Sequence, residues 1–306
     1  MATINCENAT APMNISKDKI QGPCTLLCDF NHKYGIYTPN ITNKGSYLSL
    51  NYSNPNSEPP VKYNDKTYTV SEVRIYQPSL HKYNDVNAIG EILIIQGGSG
   101  KNLITSIPIS EGGKSDKGSE QLTSLLEEAS LRIGNSEESM TYSGGNFNLD
   151  NFIPNRVPYF AYTGTLPYSP CNGSYSYVVF DLKNALNISS NIVNKLQKII
   201  EATNVTSVIG NNYLFFNKDG ANSRLNNRDQ IYIDCQPVNE NGELLVNQSS
   251  DSSSDSNSEN VDWEKFKPFL YILLAIIIAI IISKAVKFIF SKMKGGGASV
   301  PVATTS

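Results

Sequence analysis

A long uncharged segment near the C-terminus constrains the fold of this chain most strongly. No residue from Pro268 to Ser283 carries a charge, and apolar residues continue to position 290. If Lys284 and Lys287 extend their ammonium groups to the membrane surface, residues 268–290 are long enough for a bilayer core, which needs about 20 residues. Apolar side chains surround the predicted helix on every face, which disfavours the alternative of a buried core helix. The sequence therefore predicts one membrane-spanning helix at 268–290, with its flanks at 263–294.

Charges beside this segment predict its orientation. The acidic and basic residues just before it cancel, whereas several lysines and no acid follow it. Because positive residues favour the cytoplasmic side, we expect the short tail at 295–306 there and the N-terminal part outside. The first residues contain no apolar run of the kind that an export signal needs, so we expect no cleaved signal.

A run of Ser, Asp and Asn at 248–262 contains almost no apolar residue. Such a run cannot bury enough surface to offset the entropy of ordering, so we expect an acidic stalk. Residues 1–247 then form one globular ectodomain, which carries 19 Lys and Arg against 23 Asp and Glu. Because this balance offers no positive excess to neutralise phosphates, nucleic acid is not an expected partner.

Five segments of the globular part are predicted to be strands. They combine alternating and continuous apolar runs rich in Ile, Val and Tyr. These segments are Glu72–Leu80, Gly90–Gly97, Asn102–Ile109, Tyr175–Leu182 and Asp229–Cys235.

Two further segments have apolar residues at helical spacing. In residues 119–134 the predicted apolar face consists of Leu122, Leu125, Leu126, Ala129 and Leu131. Residues 189–204 repeat the pattern behind a serine cap. The domain is therefore predicted to be mainly β, or α+β, with a large sheet and peripheral helices.

Five motifs occur in the order found in one enzyme family. They are APMNI (11–15), LHKYNDVNAIGEILIIQG (80–97), SEQLTSLLEEA (119–129), YFAYTGTLPYSPC (159–171) preceded by FNLDNFIP, and ISSNIVNKLQKI (188–199). Their order resembles the α-type carbonic anhydrases over nearly all of residues 5–235. The resemblance implies that family's fold, a ten-stranded, mostly antiparallel twisted sheet with a central cavity.

The positions that the resemblance assigns to catalysis hold unsuitable residues. The family binds zinc through three histidines, and Arg74, Tyr76 and Leu93 stand at those positions. Arginine stays cationic, tyrosine titrates near pH ~10, and leucine has no donor atom. Pro167 replaces the Thr that orients the zinc-bound hydroxide, and Lys66 replaces the proton-shuttle His. We therefore expect no carbonic anhydrase activity, no catalytic residue, no metal and no cofactor.

The chain has only two histidines. The resemblance implies that His81 forms a structural hydrogen bond with Glu91. For His32 a surface loop is the default expectation. The spacing of Cys24, Cys28 and His32 also permits a zinc site, although no fourth ligand is evident.

Five cysteines cannot all pair within one chain. Resemblance to secreted members of the family implies a disulfide between Cys6 and Cys171. The remaining cysteines, Cys24, Cys28 and Cys235, are then buried thiols or a second bridge.

A zinc-free domain of this kind with a C-terminal anchor resembles the poxvirus envelope proteins that bind cell-surface glycosaminoglycan. The resemblance implies a single-pass virion-surface protein that attaches particles to cells through a chondroitin sulfate-like glycan. The candidate ligand-binding residues are Lys62, Lys66, Arg74 and Lys82, which we expect near one cavity mouth. The alternatives are a surface protein as receptor, or a structural protein of the virion membrane that binds other proteins and no glycan.

Overall fold

The computed structural model describes residues 2–4, 9–24, 27–98, 100–113, 115–153, 155–205 and 213–223. By its internal contacts the chain divides into two compact units, residues 1–232 and 233–306. All the described residues belong to the first unit, which is the only one treated below.

The predicted C-terminal elements lie outside the described residues. These elements are the strand at 229–235, the stalk at 248–262, the membrane span at 268–290 and the tail at 295–306. Within the described ranges, no helix is long and apolar enough to cross a bilayer.

The described part of the chain is mainly β-structure, with 20 strands. The first ten are β1 (Ala2–Ile4), β2 (Asn14–Ile15), β3 (Ile20–Pro23), β4 (Phe30–His32), β5 (Ile36–Tyr37), β6 (Asn40–Asn43), β7 (Leu48–Asn51), β8 (Val61–Tyr63), β9 (Lys66–Tyr76) and β10 (Lys82–Tyr83). The others are β11 (Val86–Asn87), β12 (Gly90–Gly98), β13 (Lys101–Glu111), β14 (Ser139–Thr141), β15 (Phe147–Asn148), β16 (Tyr159–Gly164), β17 (Tyr175–Phe180), β18 (Leu186–Ile188), β19 (Thr203–Val205) and β20 (Leu214–Asn217).

The helices are α1 (Lys117–Arg132) and α2 (Ser190–Ile199), and the 3-10 helices are Lys17–Lys19, Leu149–Phe152 and Leu182–Asn184. The Asp116 carboxylate accepts a hydrogen bond from the Ser119 amide and so caps α1. The predicted serine cap of α2 is Ser189, but its side chain makes no capping hydrogen bond.

One large mixed sheet organises the domain. It has 13 strands, and its main path runs β14-β6-β7-β9-β12-β13-β17-β16-β20-β3. Along this path only the β13–β17 and β20–β3 pairs are parallel, so the predicted mostly antiparallel sheet is confirmed. Short β10 belongs to a separate three-stranded sheet with β2 and β11.

Four predicted strands are confirmed as β9, β12, β13 and β17, with shifted ends. The predicted strand 72–80 in fact begins at Lys66 and ends at Tyr76. It stops just before Gln77–Pro78, because proline has no N–H to continue a strand ladder.

Apolar side chains pack on both faces of the sheet. Along β12, Ile92 and Ile94 belong to a first cluster that also contains the buried faces of α1 and α2. The intervening residues Leu93 and Ile95 belong to a second cluster on the opposite face. Since alternate residues of a strand point to opposite faces, the continuous apolar run of β12 supplies both clusters. We call the face of the second cluster the cavity face.

The helix α1 corrects one prediction. Leu122, Leu125, Leu126 and Ala129 are buried as expected, but Leu131 is 82% exposed. Ile133, just beyond the helix, is buried instead. Leu131 follows Ala129 by two positions, which places it about 200° around the helix and away from the sheet.

Candidate functional site

The three positions assigned to zinc ligands lie together on the cavity face. Arg74 on β9 is directly opposite Leu93 on β12, and Tyr76 is directly opposite Glu91. Cross-strand partners point to the same face, so the sheet register brings Arg74, Tyr76 and Leu93 to one place. Tyr76 and Leu93 are buried.

The Arg74 guanidinium lies between two aromatic rings. Its central carbon is 4.3 Å from the centroid of the Tyr47 ring and 3.9 Å from that of Tyr168. Tyr47 comes from the segment before β7 and Tyr168 from the loop after β16. Cation–π contacts with these two rings therefore hold the Arg74 guanidinium at the centre of the site.

Hydrogen bonds complete this arginine cluster. Arg74 Nε and Nη2 both lie 2.8 Å from Oε2 of Glu72, and Nη1 donates to the Tyr76 hydroxyl at 3.1 Å. The Ser49 hydroxyl donates to the other Glu72 oxygen at 2.5 Å. The charge of Arg74 is thus compensated inside the site, at a position where the side chain is 15% exposed.

The pKa shifts of Tyr76, Tyr168 and Arg74 are consistent with a charged guanidinium among uncharged phenols. Burial raises the pKa of Tyr168 to about 12 and raises that of Tyr76 as well. Burial alone would lower the pKa of Arg74, but Tyr76, Tyr168 and Glu72 outweigh it and hold that pKa above its ordinary value. At neutral pH the cluster therefore presents protonated phenols, the Arg74 cation and the Glu72 carboxylate that this cation occupies, which together are not a donor set for a metal ion.

The structure also brings the predicted pair His81 and Glu91 together. Nδ1 of His81 lies 2.5 Å from Oε1 of Glu91, and Oε2 accepts the amides of Leu80 and His81 at 2.7 and 3.1 Å. The sequence did not indicate two further partners. The Ser106 hydroxyl donates to Glu91, and the Tyr162 hydroxyl lies 2.7 Å from Nε2 of His81.

This network keeps Glu91 ionised in the core. Burial would raise the pKa of Glu91, but the charge and hydrogen bonds of His81 and Ser106 outweigh burial and lower it. Both side chains are fully buried. The pair therefore joins the segment before β10 to β12 from inside the protein.

The structure does not bring all four candidate ligand-binding residues together, and their part in ligand binding stays a prediction. Lys66 and Arg74 lie at opposite ends of β9, eight residues and roughly 26 Å apart. Ser71 is an extra residue in this strand, because Val70 pairs with Gln96 and Glu72 with Ile95. The bulge reverses the alternation, so Lys66 points to the face opposite to that of Arg74.

Of the other two candidates, Lys62 lies on β8, which pairs with the Lys66 end of β9. Lys62 on β8 forms an ion pair with Asp65 at 2.9 Å, with both side chains largely exposed. Lys82 lies on β10, in the separate three-stranded sheet. No single cavity mouth is therefore formed by all four residues.

Lys66 instead has a basic neighbour that the sequence reasoning missed. Lys101 pairs with Gly98, which lies against Thr67 and Tyr68 of β9. It lowers the pKa of Lys66, because its ammonium group can donate a hydrogen bond to the uncharged Lys66 amine and repels the charged form. Across the described ranges, no carboxylate lies within ion-pair distance of either ammonium group. Lys62 pairs with Thr67, the residue after Lys66, so its side chain points to the opposite face of the β8–β9 hairpin from that of Lys66. We call Lys66 and Lys101 the lysine pair.

The structure tests some of the expectations for the cysteines and for His32. Cys24 and Cys28 form a disulfide with 5.3 Å between their Cα atoms, so they do not offer the thiolates that the alternative zinc site requires. His32 is 5% exposed on β4 rather than in a surface loop. Cys171 is disulfide-bonded, but Cys6 and Cys235 lie outside the described residues, so the Cys6–Cys171 pairing stays a prediction.

No group of three or more His, Cys, Asp or Glu side chains in the described part of the chain is placed to hold a metal ion.

No family model and no curated protein matches the sequence. Solved structures do match. Dioscorin complexed with ascorbate has a TM-score of 0.57 at 15% identity, covering 69% of this chain and 86% of dioscorin. The α-carbonic anhydrase from Thermovibrio ammonificans with the inhibitor sulfanilamide has a TM-score of 0.56 at 14% identity, covering 68% and 87%.

The α-carbonic anhydrase of Photobacterium profundum has a TM-score of 0.57 at 16% identity, covering 68% of this chain and 89% of that enzyme. At such identities the likeness establishes the architecture alone. The described part of this chain has the α-carbonic-anhydrase fold.

Proposed function

We propose that this chain is a catalytically inactive carbonic-anhydrase-like protein of a virion membrane, which binds glycosaminoglycan on the host cell and mediates attachment. The observation that carries glycan binding is the lysine pair. The location on a virion membrane rests on the sequence resemblance and on the predicted span at 268–290.

The absence of catalysis is supported by the arginine cluster. A zinc enzyme of this kind needs three donor side chains around a cation and a water molecule. Here Arg74 brings a positive charge to the assigned ligand positions. The rings of Tyr47 and Tyr168 and the Glu72 carboxylate hold its guanidinium in place. A dication at this point would be repelled by the guanidinium and would find no imidazole.

Glycan binding is supported by uncompensated positive charge. Two ammonium groups that repel each other are stabilised when an anion lies between them, and the sulfate and carboxylate groups of glycosaminoglycans are such anions. We therefore place the glycan contacts at Lys66 and Lys101. Lys62 points to the other face of its hairpin and is paired with Asp65, Arg74 is already compensated by Glu72, and Lys82 belongs to the other sheet, so these three are the less suitable candidates.

The test is binding of the purified full-length chain, in detergent, to cells before and after enzymatic removal of surface glycosaminoglycan. We expect binding that digestion abolishes and that weakens with salt, because exposed charges are screened. The double variant Lys66→Gln/Lys101→Gln should reduce binding at least about tenfold, as expected when two charge-assisted contacts are lost.

A matched control is Lys117→Gln/Lys198→Gln, which removes the same charge from exposed positions on α1 and α2. We expect it to bind like the unaltered protein. Binding that survives digestion would instead indicate a protein receptor. No binding to cells at all would favour the alternative of a structural protein that contacts other virion proteins.

A further inference from the structure

A polar cleft lies where β4 meets the segment 220–223. Its volume is about 330 Å³, and its lining residues are His32, Lys33, Asp150, Ile153, Asn155 and Asn222. His32 is buried at the wall of this cleft, with a side chain only 2% exposed. Of the two histidines of the chain, it is the one outside the His81–Glu91 pair. Neither the fold family's chemistry nor the proposed glycan contacts use it.

Asp150 determines which nitrogen of His32 carries the proton. One Asp150 oxygen lies 2.8 Å from Nδ1 of His32 and accepts the Tyr34 amide at 3.0 Å, while the other accepts the Gly35 amide at 3.2 Å. Burial would raise the pKa of Asp150, but these partners lower it, so the carboxylate is ionised. Because an ionised carboxylate only accepts, Nδ1 of His32 carries a proton, and in the neutral imidazole Nε2 therefore carries the lone pair.

The side-chain amide of Asn222 faces that lone pair. Its Oδ1 accepts the backbone amide of His32 at 2.8 Å, and its Nδ2 lies 3.3 Å from Nε2 of His32. The same Nδ2 donates to Oδ1 of Asn155 at 2.6 Å, and the Asn222 amide donates to the Phe30 carbonyl at 3.0 Å. Asn222 thus connects β4, residue 155 and the segment 220–223.

Neither orientation of the Asn222 amide suits a protonated imidazole. An imidazolium donates from both nitrogens, so its Nε2–H would face the Nδ2 donor of Asn222. Turning the amide over would place Nδ2 against the backbone N–H of His32 and Oδ1 against the oxygen of Asn155. Both arrangements leave buried polar groups without partners, which is costly.

We propose that His32 and Asn222 form an acid-sensitive clamp, in which protonation of His32 removes the acceptor for the Asn222 amide and loosens segment 220–223 from β4. Histidine is the side chain whose charge changes between about pH 5 and 8. The clamp is therefore closed while the imidazole of His32 is neutral and opens when it is protonated.

The charged groups around His32 are few. Asp150, from the 3-10 helix, faces Nδ1, and Lys33, from the residue after β4, lines the cleft. Tyr34 stacks on the imidazole at 5.5 Å between ring centroids, and Ile153 and the side-chain amides of Asn155 and Asn222 complete the lining. Asp150 holds the imidazolium in place when it forms, so acid breaks the bond to Asn222 and leaves the bond to Asp150 intact.

The test is hydrogen exchange of the full-length chain in detergent at pH 7.4 and 5.5, corrected for the intrinsic exchange rate at each pH. Protection of amides in 213–223 should fall about fivefold to tenfold at pH 5.5, the change in population that loss of one buried hydrogen bond produces. Amides of the β12–β13 hairpin serve as the internal control and should keep their protection.

Two variants decide whether His32 is responsible. In His32→Gln, which offers a donor and an acceptor but does not titrate, protection of 213–223 should no longer depend on pH. In Asn222→Asp, the carboxylate accepts from the imidazolium, so protection should rise at pH 5.5 instead of falling. Equal protection at both pH values in the unaltered protein, or the same loss in both variants, would overturn the proposal.

Discussion

Arg74 and Leu93 lie directly opposite each other on adjacent antiparallel strands, with the Arg74 guanidinium held between the rings of Tyr47 and Tyr168. The strand that carries Arg74 also supplies its carboxylate partner, Glu72, from two positions earlier on the same face. Residues of one strand and two distant tyrosines thus make a self-contained cationic cluster on the cavity face. This arrangement leads to the first two predictions.

Zinc should not confer activity on this protein. We expect the purified chain with added zinc to hydrate carbon dioxide no faster than buffer alone, because Arg74, Tyr76 and Leu93 provide no donor set. Stopped-flow measurement with a pH indicator checks this, with an active α-carbonic anhydrase as the positive control. A zinc-dependent rate above buffer would show that the metal binds elsewhere in the chain.

Replacing Arg74 should destabilise the domain. Arg74→Met leaves the Glu72 carboxylate, 25% exposed, without its partner, and removes two cation–π contacts. We expect a loss of about 1–3 kcal/mol in the free energy of unfolding, measured by urea denaturation. Adding Glu72→Gln should recover part of the loss. Arg132→Met, which removes the more exposed partner of Glu128, should cost less than about 1 kcal/mol.

Glu91 should link stability to pH. Its pKa is lower in the folded protein than in the unfolded chain, so its contribution is complete above the ordinary value of about 4.3. The contribution is lost as the pH falls from there through the lowered folded pKa, because the unfolded state then binds the proton more readily. Urea denaturation between pH 7 and 3 should show the decline.

The variant Glu91→Gln tests the origin of that decline. At pH 7 we expect it to lose about 2–4 kcal/mol, because the histidine and two amides lose a charged acceptor. Its stability should then fall less steeply in acid than that of the unaltered protein. An unchanged acid slope would assign the decline to other carboxylates.

Two of the leucines of α1, Leu125 and Leu131, should respond differently to substitution. Leu131 is exposed, so Leu131→Lys should change the free energy of unfolding by no more than about 0.5 kcal/mol. Leu125 is fully buried against the sheet, so Leu125→Ala should cost about 2–4 kcal/mol. Thermal unfolding of both variants checks this, and a large effect at Leu131 would mean that its side chain has a partner in the intact protein.

Much of the architecture could be predicted because its signals are local. The alternation and the apolar runs of β9, β12, β13 and β17 are visible in a few consecutive residues, as is the helical spacing in α1 and α2. The predictions were least accurate at the ends of strands and helices. One strand ended before Pro78, and Leu131 lay outside the buried face of its helix. Element ends depend on tertiary contacts that no local pattern encodes.

The site was less predictable because its members are far apart in the chain. Tyr47 and Tyr168 meet at Arg74 although about 120 residues separate them, and Lys101 meets Lys66 through the sheet. His32 gave no sign of burial, since its partners Asp150 and Asn222 lie 118 and 190 residues away. By contrast, the motif that carried His81 and Glu91 contained both members of its pair, as the predicted strand 72–80 contained Glu72 and Arg74.

The sequence by itself determined four of the longer strands, the two helices, the family resemblance and the identity of the residues at the assigned zinc positions, since each depends on residue type and short-range spacing. The tertiary structure alone decided which side chains share a face. Lys66 and Arg74 are both even-numbered residues of one strand, so strict alternation would put them on the same side of the sheet. The extra residue Ser71 reverses the alternation between them, because a bulge shifts the register by one and turns every later side chain to the other face.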